Sequence, residues 1–496
     1  MHLTKIKPAQ FFGIEINTFA VRVLKVCFLL AELKISRKLI DISVLDNNII
    51  TANALRMDWN ELLPNKSCSY IISNPPFCGA RVMSKEQKTD VLNIFKNTKN
   101  VGNIDYVGCW YKKASEYMKN TLIKTALAST NSICQGEQVA ILWKDLFKSG
   151  IHINFAYKTF KWNSESPVKA QVHCIIVGFS YINESDKIIF NGSEIFKAKN
   201  INAYLQDAPN IIVERRKKPI CANAPKIKIG NKPDAGDSFI ITPEEKVLAI
   251  KNEPFVKEYI RPYIGARELM RGTKRYCLWL KNISLEEISK SKLLSKRVLA
   301  VKKFRENRGT NNISPTLFAQ IHQQPKGKYL IVPGLRSNNI LYIPTLFLDN
   351  GAIASESVCL IHNPSNYHFG VINSITHAQW MRAVCGCFGN AFRYSVGVVY
   401  NTFPWPNPTK KQKENIEKTA KMILDARKLY PNCTLAQLYD PLTMPPEIRK
   451  AHKLNDEAVL KAYGFSKNIT EEECVAKLME MYKELVEKEN KKDVKK

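Results

Sequence analysis

Between residues 11 and 179 short apolar runs alternate with stretches whose apolar positions recur at helical spacing. That alternation predicts strands and amphipathic helices of a parallel α/β sheet. "FFGIEI" reads as the first strand, residues 18–33 as a helix, and "NIITANAL" and "SYIIS" as the next two strands. A helix is expected over about residues 105–119, and "TALAST" and "VHCIIVGFS" fit buried strands beyond it. A basic, proline-punctuated stretch, "ERRKKPICANAPKIKIGNKPDAG", then breaks the pattern. From residue 237 to about 408 short strands, long polar loops, aromatics and basic clusters such as "VKKFRENR" take over. After "FPWP" the chain turns helical: "KENIEKTAKMILDARKLYP" has apolar residues at helical spacing and should stop at Pro431. The closing "EKENKKDVKK" reads as a solvated or frayed tail. These shifts divide the chain into residues 1–215, 216–408 and 409–496.

Composition adds a partner. Of the 496 residues 45% are apolar, the proportion of a globular protein. Lys and Arg number 74 against 45 Asp and Glu, a net charge of +29. Such an excess favours a polyanion, nucleic acid before an acidic membrane, over a merely lysine-rich surface. No uninterrupted apolar segment follows the early lysines, so no signal peptide is expected. The most lipid-like stretch, "FAVRVLKVCFLLAEL", carries Arg22, Lys25 and Glu32 and falls short of the ~20 residues of a span. The thirteen cysteines include no CxxC pair and read as reduced, structural thiols of a cytoplasmic protein.

The candidate chemistry begins at "SYIISNPPFCG", where an apolar strand breaks into Asn74, Pro75, Pro76 and Phe77. Two prolines fix the backbone and remove competing N–H groups. The Asn74 side chain and the Pro75 backbone each offer a carbonyl, and two convergent acceptors suit an exocyclic amine with two hydrogens. Accepting both hydrogens aims the nitrogen lone pair at an electrophile without an ionised base. Phe77 can stack on the ring that bears the amine, as in enzymes that flip a base out of a duplex. Upstream, Glu15 ends a strand, where nucleotide-binding sheets place a carboxylate on ribose hydroxyls. Asp58 follows another strand, where it can accept from an adenine amine with Trp59 covering the ring. A strand-terminating turn and two surface carboxylates are the bland alternative. The order strand–Glu, strand–Asp, strand–NPPF is hard to obtain by chance.

At these motifs the sequence resembles the S-adenosylmethionine-dependent, N6-adenine-specific DNA methyltransferases. More narrowly, it is similar to the modification and recognition part of single-chain type II (IIG/IIL-like) restriction–modification enzymes. The likeness runs through "FFGIEIN", "NPPFCGARVMSKEQKTD", "DYVGCWYKKA", "STNSICQGEQVAILW" and "FAYKTFKWNSES", then "GDSFIITPEE", "RPYIGARE", "RYCLWL", "FGNAFRYS", "VYNTFPWP" and "LYDPLTMPPEIRKAH". It implies a Rossmann-like class I sheet, incomplete at its N-terminus, then a mixed α+β target-recognition domain and a helical C-terminal region. It further implies Glu15, Ile16, Asp58 and Trp59 at the cofactor, Asn74 to Phe77 around a flipped adenine, and double-stranded DNA as partner. Phe160 or Trp162 of "TFKWN" would supply a second stacking ring, with core packing as their alternative role.

Two departures qualify the resemblance. Such enzymes open their sheet with a strand and a loop of the form D-P-A-C-G-S-G, which lets the backbone approach the methionine end of the cofactor. Only ten residues precede "FFGIEIN", none of them Gly. The absent strand belongs in mid-sheet, so two inner edges should stand exposed. The expectation is a C-terminal fragment that works with a separate N-terminal polypeptide carrying the Gly-rich loop and a nuclease. The second departure is "RSNNILYIP", where relatives carry an S-S-E-R-R-like run. Arg336, Asn338 and Asn339 are candidate base readers, since Arg suits guanine and Asn suits adenine. Lys302, Lys303, Arg305 and Arg308 are candidate phosphate contacts, and Arg393 a further DNA contact. "PDAGDSFIITPEEK" formally matches a nuclease pattern through Asp234, Glu244 and Lys246, but it aligns with the start of the recognition domain. A DNA-recognition remnant without activity, and methylation of cytosine N4 or a protein amide, remain the alternatives.

Overall fold

The computed structural model describes residues 6–37, 42–162, 172–310, 312–323, 327–337, 339–348, 351–389 and 391–493. Internal contacts divide the chain into two compact units, Met1–Ile212 and Val213–Lys496.

The first unit starts with β1 (Gly13–Glu15), α1 (Thr18–Ser36) and β2 (Ile49–Thr51), the two strands pairing in parallel. Asn17 starts α1 by accepting from the Phe19 and Ala20 N–H groups. Arg37, left-handed at φ 58°, ends it. Val21, Leu45 and Ile49 are buried together against Phe28. The other faces of α1 leave Phe19 74% and Leu30 60% exposed. The strand expected over "NIITANAL" stops at Thr51, because Asn53 accepts from the Leu55 N–H and turns the chain.

Six further strands form one sheet: β3 (Tyr70–Ser73), β4 (Lys124–Thr130), β5 (His152–Trp162), β6 (Val172–Ser180), β7 (Lys187–Asn191) and β8 (Glu194–Ala198). Their spatial order is β3-β4-β6-β5-β7-β8. Three helices accompany them: α2 (Lys85–Ile94), α3 (Gly108–Tyr117) and α4 (Gly136–Lys148). Within the expected α/β sheet, β3–β4 and β5–β7 are parallel, while β6 runs antiparallel to both β4 and β5. Tyr111, Trp143 and Phe179 fill the core, the first and last stacked at 5.2 Å. Gly178 is required there, since a Cβ would fall 2.0 Å from the Phe155 ring. Among the described residues β1 pairs only with β2, and β3 only with β4, so the sheet is in two pieces. On β3, Tyr70 is 69% and Ile72 83% exposed. Each of these strands thus has one unpaired edge among the described residues.

The second unit combines small sheets with helices. One sheet orders Ile240–Ile241, Tyr276–Leu278, Ile260–Ile264 and Ile353–Ala354. Another orders Leu346–Phe347, Tyr329–Pro333, Val358–His362 and Ile227–Ile229; a third joins Leu335–Ser337, Ala391–Arg393 and Gly386–Phe388. The helix Lys410–Lys428 packs on Asn366–Ile372 and Pro446–Tyr463. A Cβ at Gly370 would meet Ile416 at 2.7 Å, which is how closely two of these helices approach. The tail expected to fray continues helical within Glu471–Asp493. Lys483–Glu487 and Lys488–Glu484 pairs line it, and Arg216 bonds Glu489. Among the described residues no helix is long and apolar enough to cross a membrane.

Candidate active site

Asn74 to Gly79 leave β3 as an irregular loop, because two consecutive prolines deny the ladder its donors. Pro75 is buried, Phe77 half-buried, and Asn74 and Pro76 are exposed. Among the described residues neither the Asn74 carboxamide nor the Pro75 carbonyl has a hydrogen-bond partner. The far side of the loop is anchored. Tyr106 donates its backbone N–H to the Cys78 carbonyl at 2.9 Å, and the Ala80 N–H donates to Asp105 Oδ1 at 3.2 Å. Asp105 is buried and also accepts from Thr130 at the end of β4 and from Gln138 on α4. The loop is therefore held from behind, with its acceptors unengaged.

The two carboxylates, Glu15 at the end of β1 and Asp58 in the loop after β2, are partly engaged. Glu15 accepts the Asn17 N–H through Oε1 at 2.9 Å, and Ile16 beside it is 69% exposed. Asp58 caps the short helix Trp59–Glu61, its Oδ1 accepting from the backbone N–H and side-chain amide of Asn60. Those two bonds, with the Lys113 charge, hold its carboxyl below the usual range. Oδ2 has no hydrogen-bond partner among the described residues. Asp58, Trp59, Asn60, Lys113, Glu116 and Tyr117 line a pocket of about 160 Å³. Trp59 is more committed than expected: its indole N–H donates to the Ala54 carbonyl at 2.8 Å, and its ring meets Tyr117 edge-on. A Gly-rich cradle for the methionine end is not formed by the described residues.

A buried carboxylate that the sequence reading passed over lies behind both loops. Asp90 of α2 accepts from Arg56 Nε and from the Tyr106 hydroxyl, each at 2.8 Å. Burial pushes its pKa up, but the bonds from Arg56 and Tyr106 hold it below the ordinary value. The signal available was "DYVGCWYKKA", whose Asp105 and Tyr106 both face the loop.

The remaining sites divide. Phe160 is half-buried on β5, edge-on to Tyr157, and the Trp162 side chain lies outside the described residues. Lys302 and Lys303 are exposed on the helix Lys292–Asn307, and Arg393 and Asn339 are exposed in the third sheet and its loop. Arg308 is exposed but pairs with Asp234 at 3.2 Å. Asn338 lies outside the described residues. Two expectations are corrected. Arg305, expected on phosphate, is 1% exposed, and its guanidinium donates to the carbonyls of Pro233, Asp234, Ile313, Ser314 and Leu317. Arg336, expected on a base, is 4% exposed and donates to the carbonyls of Ile340 and Tyr342. Each guanidinium is spent on backbone carbonyl acceptors. Of the nuclease-like trio, Asp234 is held by Arg308, Lys246 lies 4.0 Å over the Tyr276 ring, and Glu244 sits in the first turn of Pro243–Asn252.

Three family profiles cover nearly the whole chain. They are described as MmeI DNA-methyltransferase domain over residues 1–191, MmeI target recognition domain over 207–407, and MmeI C-terminal domain over 408–489. The chain is 36% identical over 506 residues to "DNA methyltransferase A" of Bacillus subtilis (strain 168), covering 98% of this chain and 57% of that protein. It thus spans little more than half the length of that relative. The solved structure of the type IIL restriction-modification enzyme MmeI in complex with DNA is 39% identical. It matches with a TM-score of 0.90 over 98% of this chain and 67% of its own.

Proposed function

We propose that this chain, which belongs to the MmeI family of DNA methyltransferases with a target-recognition domain, methylates adenine N6 in duplex DNA. The reading rests on Asn74 and Pro75, two carbonyl acceptors without partners at the mouth of β3. An extruded adenine donates its two amine hydrogens to them, which takes the nitrogen lone pair out of conjugation with the ring. Phe77 stacks on the base, and the buried Pro75 keeps its carbonyl from rotating away. S-adenosylmethionine, when bound, supplies an electrophilic methyl group. Glu15 and Ile16 would hold its ribose side, and Asp58 its adenine amine through the unpartnered Oδ2. Residues 216–408 read the target through Asn339 and Arg393, with Lys302 and Lys303 on phosphates.

The cofactor's methionine end requires a strand in the gap between β1 and β3. Such a strand would pair with the open edges of β1 and β3 and cover the exposed apolar face of α1. The same edges favour a second reading, a DNA-recognition remnant that binds its site and transfers nothing. Incubation with labelled S-adenosylmethionine and duplex DNA, followed by nucleoside analysis, tests both. N6-methyladenine is the expected product once a polypeptide bearing a Gly-rich strand is added. N4-methylcytosine, or sequence-specific binding with no label in either mixture, overturns the proposal.

A further inference from the structure

The two loops assigned above to cofactor and target are not neighbours in sequence, yet one buried side chain reaches both. On the cofactor side, residues 53–59 form a self-closed turn: Asn53 accepts from Leu55, Trp59 donates to Ala54, and Asp58 caps the next helix. Among the described residues its charged link to α2 is Arg56, whose Nε donates to Asp90 Oδ1 at 2.8 Å and whose terminal nitrogen donates to Oδ2 at 3.3 Å, with the Asn53 side chain a further partner of Asp90. On the target side, the Tyr106 hydroxyl donates to the same Oδ2 at 2.8 Å, and the Tyr106 N–H holds the Cys78 carbonyl directly after Phe77. One turn earlier on α2, Gln87 accepts from the Cys78 thiol at 3.6 Å. Asp90 is 4% exposed and Tyr106 5%, so water cannot substitute for the bond between them, while the Arg56 side chain is half-exposed.

We infer that Asp90 is a positioning residue that locks the Asp58 loop to the Asn74–Phe77 loop, so that order in one is felt in the other. A carboxylate suits the task because its two oxygens accept from two directions at once, and burial makes each charge-assisted bond costly to break. A core-filling residue at position 90 would support both loops without coupling them. With the assignments of the preceding subsection, the lock fixes the separation between a methyl donor and the amine that receives it. Small misplacements there lower the rate rather than the affinity.

Arg56 provides the discriminating variant, since its side chain is 55% exposed and, among the described residues, its guanidinium bonds go to Asp90 of α2 and not to the second loop. Hydrogen exchange on the whole chain, comparing wild type with Arg56→Gln and Asp90→Asn, should show about ten-fold faster exchange of the Cys78–Ala80 amides in both variants. Strands β5 to β8 should be unchanged. Exchange raised only within residues 53–59 by Arg56→Gln overturns the inference. Should Asp90→Asn not fold, Tyr106→Phe removes a single hydroxyl and carries the same expectation in reverse, faster exchange in residues 53–59. In methyl-transfer assays Asp90→Asn should lower kcat about ten-fold with the KM for DNA within about two-fold. A reversed split, KM raised and kcat kept, would also overturn it. Coupled exchange in a chain that transfers no methyl group would sustain the lock and remove the reaction assigned to it.

Discussion

Replacing Asn74 by Ala removes one of the two acceptors without touching a buried contact, since the side chain is exposed and unpartnered. We expect methyl transfer to fall about 10²–10³-fold, the range for losing one preorganised polar group, with the dissociation constant for DNA little changed. Tritium incorporation beside a binding titration separates the two. Asp456 makes a different prediction. It is buried, accepts from the Tyr342 hydroxyl and the Ile375 N–H, and burial pushes its carboxyl up to about 7. A folded pKa above the unfolded one contributes stability below pH ~4 that is lost as pH rises through about 7. The stability of wild type relative to Asp456→Asn should therefore fall between pH 4 and 8, read from denaturant midpoints at each pH. At this scale the positions of Glu15 at the end of β1 and Asn74 just after β3 were legible, because apolar runs broken by a polar residue or prolines mark strand ends. Arg305 was misread because a charged residue type says nothing about direction. Its direction was nonetheless written in the spacing: Leu294, Val301 and Arg305 share one buried helical stripe.

That helix, Lys292–Asn307, has two sides with opposite consequences. Lys302→Ala or Lys303→Ala should weaken DNA binding at any sequence and shallow the dependence of affinity on salt by about one unit per lost phosphate contact. Folding should be unaffected. Arg305→Ala should instead destabilise the second unit by about 3 kcal/mol or more, because it leaves five carbonyls short of a donor. Urea titration checks this, and Lys at the same position should not rescue it. Elements whose pattern is uniform, such as "SYIIS" and "TALAST", were readable in place. Those decided by one polar side chain were not. Asn53 cuts β2 short, and β5 was not read as a strand because its aromatic and basic residues lack clean alternation.

For the whole molecule, β1 and β3 lie in separate sheets among the described residues, and the exposed β3 side chains follow from the unpaired edge. What the linear pattern could not give was the union of the C-terminal helices with the small sheets in one unit, because long-range contacts such as Arg427 to Thr345 leave no local trace. Calorimetry should find weak binding of S-adenosylmethionine by the chain alone. Adding a polypeptide with the Gly-rich strand should strengthen binding at least about ten-fold and raise the melting temperature of the first unit. Micromolar binding by the unaccompanied chain would remove the need for that strand.

The open edges of β1 and β3 also bear on the life of the chain in a cell. Unpaired parallel strands flanked by bare Phe, Ile and Tyr side chains are what chaperones hold and proteases enter. A chain whose sheet is filled would be spared, and one left unfilled would be cleared. Turnover measured in a pulse-chase, with and without the filling strand, would thus count completed sheets before any methyl group is transferred.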